Sequence, residues 1–465
     1  MRRCASVCLA VLLFIAIALI LGLNGCGGVK VGAPKFGHIV VIFQENRTPD
    51  NLFQDPVLIA RGADIASSGL NSLGQTIPLT PIPLGIDYDL NHAHSAFTAM
   101  YDDGKMDGAD KVAVNCSAAA GKCPLPNAQF HYVRPSDVAP YFQLAEQYTF
   151  GDRMFQTNQG PSFPAHQFII SGTSAPTATS SSFVAENPAG VPPNFNLGCI
   201  APPAEFVTLI NANGAENMGM YPCTDHPTLT DELNAKGITW RYYAPSAGGL
   251  WTGPNAIQHM CVPNNPPPNG TKCTGPDWVK NVVLEERKVL TDIKKGNLAQ
   301  VSWVIPDGRN SDHAGVTENG GGPSWVATVV NAIGNSPYWT DTAIIITWDD
   351  WGGWYDHVPP SKIVNDGVSW GSGYVYGFRV PLIVVSPFAK PAHISHVNHD
   401  FGSILNLIEK NFILPSLGYA DAYADDLVDC FDFNQKPLTF NTISAPISAA
   451  DFLNDTRPKT DPDND

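Results

Sequence analysis

The stretch from Ala343 to Pro360 constrains this chain more than any other. Ala343-Ile344-Ile345-Ile346-Thr347 is a short, β-branched apolar run, the pattern of a strand buried on both faces. Trp348, the adjacent acids Asp349 and Asp350, Trp351, a Gly-Gly pair and Tyr355-Asp356-His357 follow. Acids at the carboxyl end of a buried parallel strand stand where open α/β sheets place their ligands. Two adjacent carboxylates repel, and a hard divalent cation is the simple remedy. Gly352 and Gly353 permit a tight turn that would bring His357 back toward the same place. An Asp-Asp pair alone also fits an acidic surface loop; the attached Gly-Gly-x-Tyr-Asp-His-Val-Pro-Pro argues for a site.

A second strand of the same kind, His38 to Phe43, ends in Gln44-Glu45-Asn46-Arg47-Thr48-Pro49-Asp50. Glu45 and Asn46 again offer hard oxygen ligands at a strand end. Two such pairs after two apolar strands point to one oxygen-rich metal site. Val301 to Ile305 is a further buried strand, and Ser324 to Ile333 is the crossover helix that leads to Ala343, a right-handed parallel unit. Val380 to Val385 is another strand, and Ser403 to Glu409 a helix. Tyr141 to Gln147 and Asp277 to Lys294 have helical spacing. The fold class expected is therefore α/β, a doubly wound, mostly parallel sheet flanked by helices. Residues 176–275 are rich in Pro, Gly and Asn and read as a loop-rich insertion. Trp240, Tyr242, Tyr243, Trp251 and His259 lie within it.

The net charge is −16, and no basic run follows the leader, so nucleic acid is a poor partner for this chain. Arg2-Arg3 and the apolar run Leu9 to Leu23 form a secretory leader. Leu23-Asn24-Gly25-Cys26 resembles a bacterial lipobox, which would anchor the mature chain to a membrane through lipid on Cys26. The expected localisation is export, to the bacterial cell envelope as a membrane-anchored lipoprotein or as a secreted protein. An oxidising compartment lets cysteines pair, and close spacing suggests Cys116–Cys123, Cys199–Cys223 and Cys261–Cys273, with Cys430 left over. The expected organisation is a leader over 1–26, a tether over 27–37, one catalytic domain over 38–440 and a polar tail over 441–465, disordered after Asp451.

Two serines stand out. Ser162, in Gly160-Pro161-Ser162-Phe163-Pro164-Ala165-His166, sits in a stiff turn that suits a nucleophile; Ser174, in Gly172-Thr173-Ser174-Ala175-Pro176, is the alternative. The residues alone do not choose between them. His92 and His94 would face one way on a strand and diverge on a helix.

Together these pieces resemble a bacterial phosphoesterase family that includes phosphatidylcholine-type phospholipases C and a respiratory-burst-inhibiting acid phosphatase. The resemblance rests on Glu45-Asn46-Arg47-Thr48-Pro49-Asp50, His94-Ser95 with Gly104-Lys105-Met106-Asp107-Gly108, and Gly160-Pro161-Ser162-Phe163-Pro164. It continues through Asp312-His313, Asp349 to Pro360, Arg379-Val380-Pro381 and His399-Asp400, over about residues 38–410. It implies an alkaline-phosphatase-like fold and one divalent metal ion (Ca, Mn, Zn or Fe) on Glu45, Asn46, Asp349 and Asp350. It implies Ser162 as nucleophile, with His94, Asp312-His313 and, as a weaker match, His259 serving the phosphoryl oxygens and the leaving group. The substrate would be a phosphorylated small molecule or a phospholipid headgroup. The chain departs from the phospholipases at Thr48-Pro49-Asp50-Asn51, at Asp350 where Glu is common, and at Ala165-His166 where Asn-Arg is usual. The expectation is a metal-dependent phosphoric-ester hydrolase, either an acid phosphatase or a phospholipase C. The alternative is a non-catalytic envelope lipoprotein that keeps the fold as a binding module.

Overall fold

Strands β1 (His38–Gln44) and β6 (Thr342–Trp348) lie side by side in parallel, in register from His38 beside Thr342 to Gln44 beside Trp348. Both are buried almost throughout, so their apolar content is what a central strand requires. The structure, a computed structural model, describes residues 35–116, 126–190, 196–211, 214–216, 218–361 and 376–459. The leader, Cys26, Cys123 and the end of the tail lie outside the described residues. Within the described residues no helix is long and apolar enough to cross a membrane.

The other strands of the central sheet are β2 (Thr149–Phe155), β3 (Trp240–Tyr243), β4 (Val282–Val283), β5 (Val301–Val304), β7 (Arg379–Val385), β8 (His393–Ser395) and β9 (His399–Asp400). Their order is β4-β3-β5-β1-β6-β7-β2-β8, with β9 also pairing to β2. All neighbours are parallel except that β7 runs antiparallel to β6 and β2. The sheet is therefore mixed and mostly parallel, as expected.

Helices cover both faces. Those that matter here are α1 (His94–Tyr101), α2 (Ala139–Gln147), α3 (Ser162–Ser171), α4 (Gly321–Gly334) and α5 (Phe401–Phe412). Successive side chains of a strand point to opposite faces. Phe43 points to one face, where it meets Phe401 of α5 at 5.2 Å and His166 of α3 at 4.9 Å between ring centroids. Trp348, in register with Gln44, points to the other and meets Tyr141 of α2 at 5.1 Å.

The fold departs from expectation in three places and adds one central strand that the sequence reading did not assign. Residues 176–275 are not all insertion, because Trp240–Tyr243 is a strand of the main sheet. The helical pattern over Asp277–Lys294 breaks into two short helices, Pro276–Asn281 and Lys288–Lys294, around β4. Thr149–Phe155 is a central strand despite Asp152 and Arg153, because Asp152 is buried with its carboxylate accepting from Asp64 N and from the His396 ring. The tail contributes a helix, Ala449–Asn454, capped by Ser448, and its Phe452 is buried against Trp325. The disulfides Cys199–Cys223 and Cys261–Cys273 are present, Cys116 is disulfide-bonded, and Cys430 is a buried free thiol.

Candidate active site

The β1–β6 register sets the site. Asp349 N donates to Gln44 O at 2.9 Å, which carries the ladder one step past both strands and lays Glu45-Asn46 beside Asp349-Asp350. Asn46 takes a left-handed backbone conformation, φ 61°, and its N–H donates to Asp349 Oδ1 at 2.9 Å. Gly352 also has a positive φ, and a Cβ there would stand 2.4 Å from Asn46 O, so this turn tolerates only glycine. Glu45, Asn46, Asp349 and Asp350 are all fully buried.

Ser162 is the first residue of α3. Gly160 before it lets the turn press against Ala185 O, where a Cβ would stand at 1.7 Å. Ser162 Oγ donates to Asp350 Oδ2 at 3.1 Å. Ser174 Oγ instead donates to Val184 O at 3.0 Å, as a structural hydroxyl.

One turn after Ser162, His166 Nε2 lies 3.1 Å from Glu45 Oε1 and 3.8 Å from Asp349 Oδ2. Burial pushes the His166 pKa down to about 4. Glu45, His166 and Asp349 thus form a buried trio whose ligand atoms lie within 4.8 Å of one another, able to hold a metal ion. His166 was not singled out as a site residue. Its i, i+4 spacing from Ser162 on a helix is the signal that places both on one face.

The histidines sort themselves differently from expectation. His92, rather than His94, borders the carboxylates, with Nε2 4.0 Å from Asp350 Oδ2. His92 sits in the loop before α1 and His94 opens the helix, so the two side chains diverge. His94 Nε2 meets Gln159 Oε1 at 3.1 Å, its N–H donates to Glu186, and its ring pairs with Glu216. Burial and the nearby Glu216 push the Glu186 carboxyl up to about 8. His313 packs its ring 5.8 Å from that of His92. The Asp312 carboxylate accepts from Tyr141 Oη at 2.7 Å and Trp348 Nε1 at 2.9 Å, which makes it a support for β6 and His313 rather than a group at the carboxylates. Burial raises Asp312 to about 6. His259 lies apart, half-buried between Asp225 and Asp231. His357 does not return to the site either; its ring bridges Asp50 and Asp64.

The donor set fits a divalent cation, on two observations. Asp349 Oδ2 is buried with no hydrogen-bond partner. The Asn46 amide has one end 2.9 Å from His92 Nε2 and 3.2 Å from His313 Nε2, and the other 3.3 Å from Glu45 Oε2 and 3.1 Å from Asp349 Oδ1. His92 Nδ1 donates to Leu90 O and His313 Nδ1 to Ala314 O, so the neutral rings present lone pairs at Nε2. The amide nitrogen, with two hydrogens, belongs at that end. The amide oxygen then faces two carboxylates, an all-oxygen cluster that a cation stabilises. The opposite orientation would require both rings to be cationic.

The family model for the Phosphoesterase family matches residues 36–415. The hemolytic phospholipase C of Pseudomonas aeruginosa is 25% identical, over 85% of this chain and 56% of that enzyme. The phospholipase C B of Mycobacterium tuberculosis is 24% identical, over 86% of this chain and 78% of that enzyme. The chain thus spans only about half the length of the Pseudomonas enzyme. A solved alkaline phosphatase superfamily protein from Vibrio parahaemolyticus superposes with a TM-score of 0.37 and 11% identity, over 88% of this chain and 72% of that one. With the family model matched over most of its length, the chain belongs to the Phosphoesterase family.

Proposed function

We propose that the chain is a metal-dependent hydrolase of phosphoric esters that uses Ser162 as its nucleophile. The observation that carries this reading is the convergence of Ser162 Oγ on Asp350, within a buried cluster of Glu45, Asn46 and Asp349. Glu45, Asp349, Asp350 and the Asn46 amide oxygen would hold the cation. When bound, it neutralises their charge, draws charge from the phosphoryl oxygens and favours ionisation of the serine.

The chain's own residues supply the rest. Ser162 Oγ attacks phosphorus, and the bond from phosphorus to the leaving oxygen breaks. Asp350 Oδ2 already accepts the Ser162 hydrogen and orients the attacking oxygen. His92 Nε2 accepts from the Asn46 amide at rest and lies 4.0 Å from Asp350 Oδ2; in the reaction it exchanges that hydrogen bond for the Ser162 proton passed on by Asp350, and the same proton is returned to the leaving oxygen. Water then cleaves the phosphoseryl ester and frees the enzyme. The relatives' names make a phospholipid headgroup ester the first substrate to try. The disulfides Cys199–Cys223 and Cys261–Cys273 suit an exported enzyme, and lipid on Cys26 would hold it at a membrane.

The test is hydrolysis of p-nitrophenyl phosphate and headgroup release from phosphatidylcholine vesicles, each with and without a chelator. Chelation should abolish both activities, and Asp349→Asn should weaken metal binding at least tenfold. An enzyme that keeps full turnover in excess EDTA and contains no metal would contradict the reading. The substrate that is turned over distinguishes monoesterase from phospholipase.

A further inference from the structure

We infer that His166 is itself a ligand of the cation, so that the site is a mixed nitrogen and oxygen set that takes Zn²⁺ ahead of Ca²⁺. The inference rests on the metal reading above and goes beyond it, because His166 stands outside the four oxygen ligands.

The argument starts from the far side of the ring. Tyr242 Oη donates to Trp251 O at 3.0 Å and accepts from Gly253 N at 3.3 Å. Its remaining lone pair faces His166 Nδ1 at 3.4 Å. A hydroxyl that has already given its hydrogen can only accept, so Nδ1 carries the ring proton of a neutral His166. Nε2 is then a bare lone pair. It points between Glu45 Oε1 and Asp349 Oδ2, two further acceptors, the second of which has no donor of its own. Three lone pairs converging in a fully buried space repel one another unless a cation lies between them.

The ring has little freedom to turn away. Phe43 meets it edge-on at 4.9 Å, and Trp251 stacks on it at 6.5 Å with an interplanar angle of 14°. The spacing suits a small ion: two ligand atoms each ~2.1 Å from a cation stand ~3.0 to 3.4 Å apart between right-angle and tetrahedral geometry. The separation from Nε2 to Glu45 Oε1, 3.1 Å, falls within it, and that to Asp349 Oδ2, 3.8 Å, corresponds to a wider angle of about 130° at the ion. An imidazole nitrogen suits Zn²⁺, whereas Ca²⁺ takes oxygen ligands. The Tyr242 hydroxyl is the outer partner that fixes tautomer and ring orientation, the usual arrangement for a metal-bound histidine. Helix α3 would then carry both the nucleophile and a metal ligand, one turn apart.

The test is electron spin-echo spectroscopy of the full chain loaded with one equivalent of Mn²⁺, together with calorimetric titration of Zn²⁺, Mn²⁺ and Ca²⁺. Wild type should show modulation from a directly bound ¹⁴N that disappears in His166→Gln. That variant should bind Zn²⁺ about 10- to 100-fold more weakly with little change for Ca²⁺. If His166→Gln does not fold, the nitrogen signal must persist in both His92→Gln and His313→Gln; its loss in either overturns the assignment. Wild type that binds Mn²⁺ without a nitrogen signal, or a signal that survives His166→Gln, also overturns it while leaving the oxygen site intact. Failure to bind any of the three ions overturns both.

Discussion

At the scale of single residues, the site turns on which of several similar side chains reaches the carboxylates. His92 and His94 are two apart, and a strand would have presented them together. The chain instead leaves a loop at Ala93 and enters a helix at His94, so only His92 borders Asp350. His92→Asn should lower kcat by about 10²- to 10³-fold, the loss expected for a proton-handling group. His94→Asn should stay within about tenfold, because His94 is occupied by Gln159 and Glu216. Steady-state kinetics on both variants decides this, and the reverse ranking would return the role to His94. The residues that escaped the sequence reading did so for local reasons. His166 was legible only as an i, i+4 partner of Ser162, and nothing in the sequence says that the two face acids from other strands. The Asp312-His313 pair was legible as a motif, but its division into a supporting carboxylate and a site imidazole depends on Tyr141 and Trp348, far away in the chain.

At the scale of elements, the two acid-bearing turns are tied to the sheet by a buried ionic network. Arg379 of β7 forks onto both oxygens of Asp356 at 2.9 Å and reaches Asp50 at 3.3 Å. Its Nη1 donates to the carbonyls of Asp64 and Asp152. His357 completes the network, with Nδ1 2.7 Å from Asp50 and Nε2 2.9 Å from Asp64. Both ring nitrogens face carboxylates, so the ring is an imidazolium. Burial works against that charge, but Asp50, with help from Asp356, overrides it and raises the pKa to about 9. The folded value lies above the unfolded one, so the stabilisation is complete below about pH 6.5 and is lost as pH rises through about 9. In urea unfolding, the difference between wild type and His357→Gln should therefore shrink by on the order of 3 kcal/mol across that window. In His357→Gln the slope over the window should flatten, and an unchanged slope would remove His357 from the account. None of this was legible in the sequence, where the Gly-Gly turn pointed His357 at the metal instead. The strands were legible because a strand buried on both faces needs a continuous apolar run. Among the exceptions, Thr149–Phe155 is masked by charged neighbours, Trp240–Tyr243 by the Pro- and Gly-rich stretch around it, and Val282–Val283 by extreme shortness.

At the scale of the whole molecule, a mostly parallel sheet delivers two strand ends side by side, and helix α3 brings a hydroxyl to their carboxylates. Every other feature supports that meeting: Gly352 lets one turn lie against the other, Asp312 braces β6, and the Arg379 network fixes the loops behind. The outline was readable from the sequence because its elements are each contiguous: Glu45-Asn46, Asp349-Asp350 and the turn at Ser162. The way they combine was not, since it depends on β1 and β6 being neighbours in register. The most direct measurement is the turnover of a phosphoric ester by Ser162→Ala beside Ser174→Ala, with fold and metal content checked in each. Ser162→Ala should keep both and lose about 10³-fold or more in kcat, while Ser174→Ala should retain near-normal turnover. Near-normal turnover in Ser162→Ala would contradict the assignment of the nucleophile and with it the central claim.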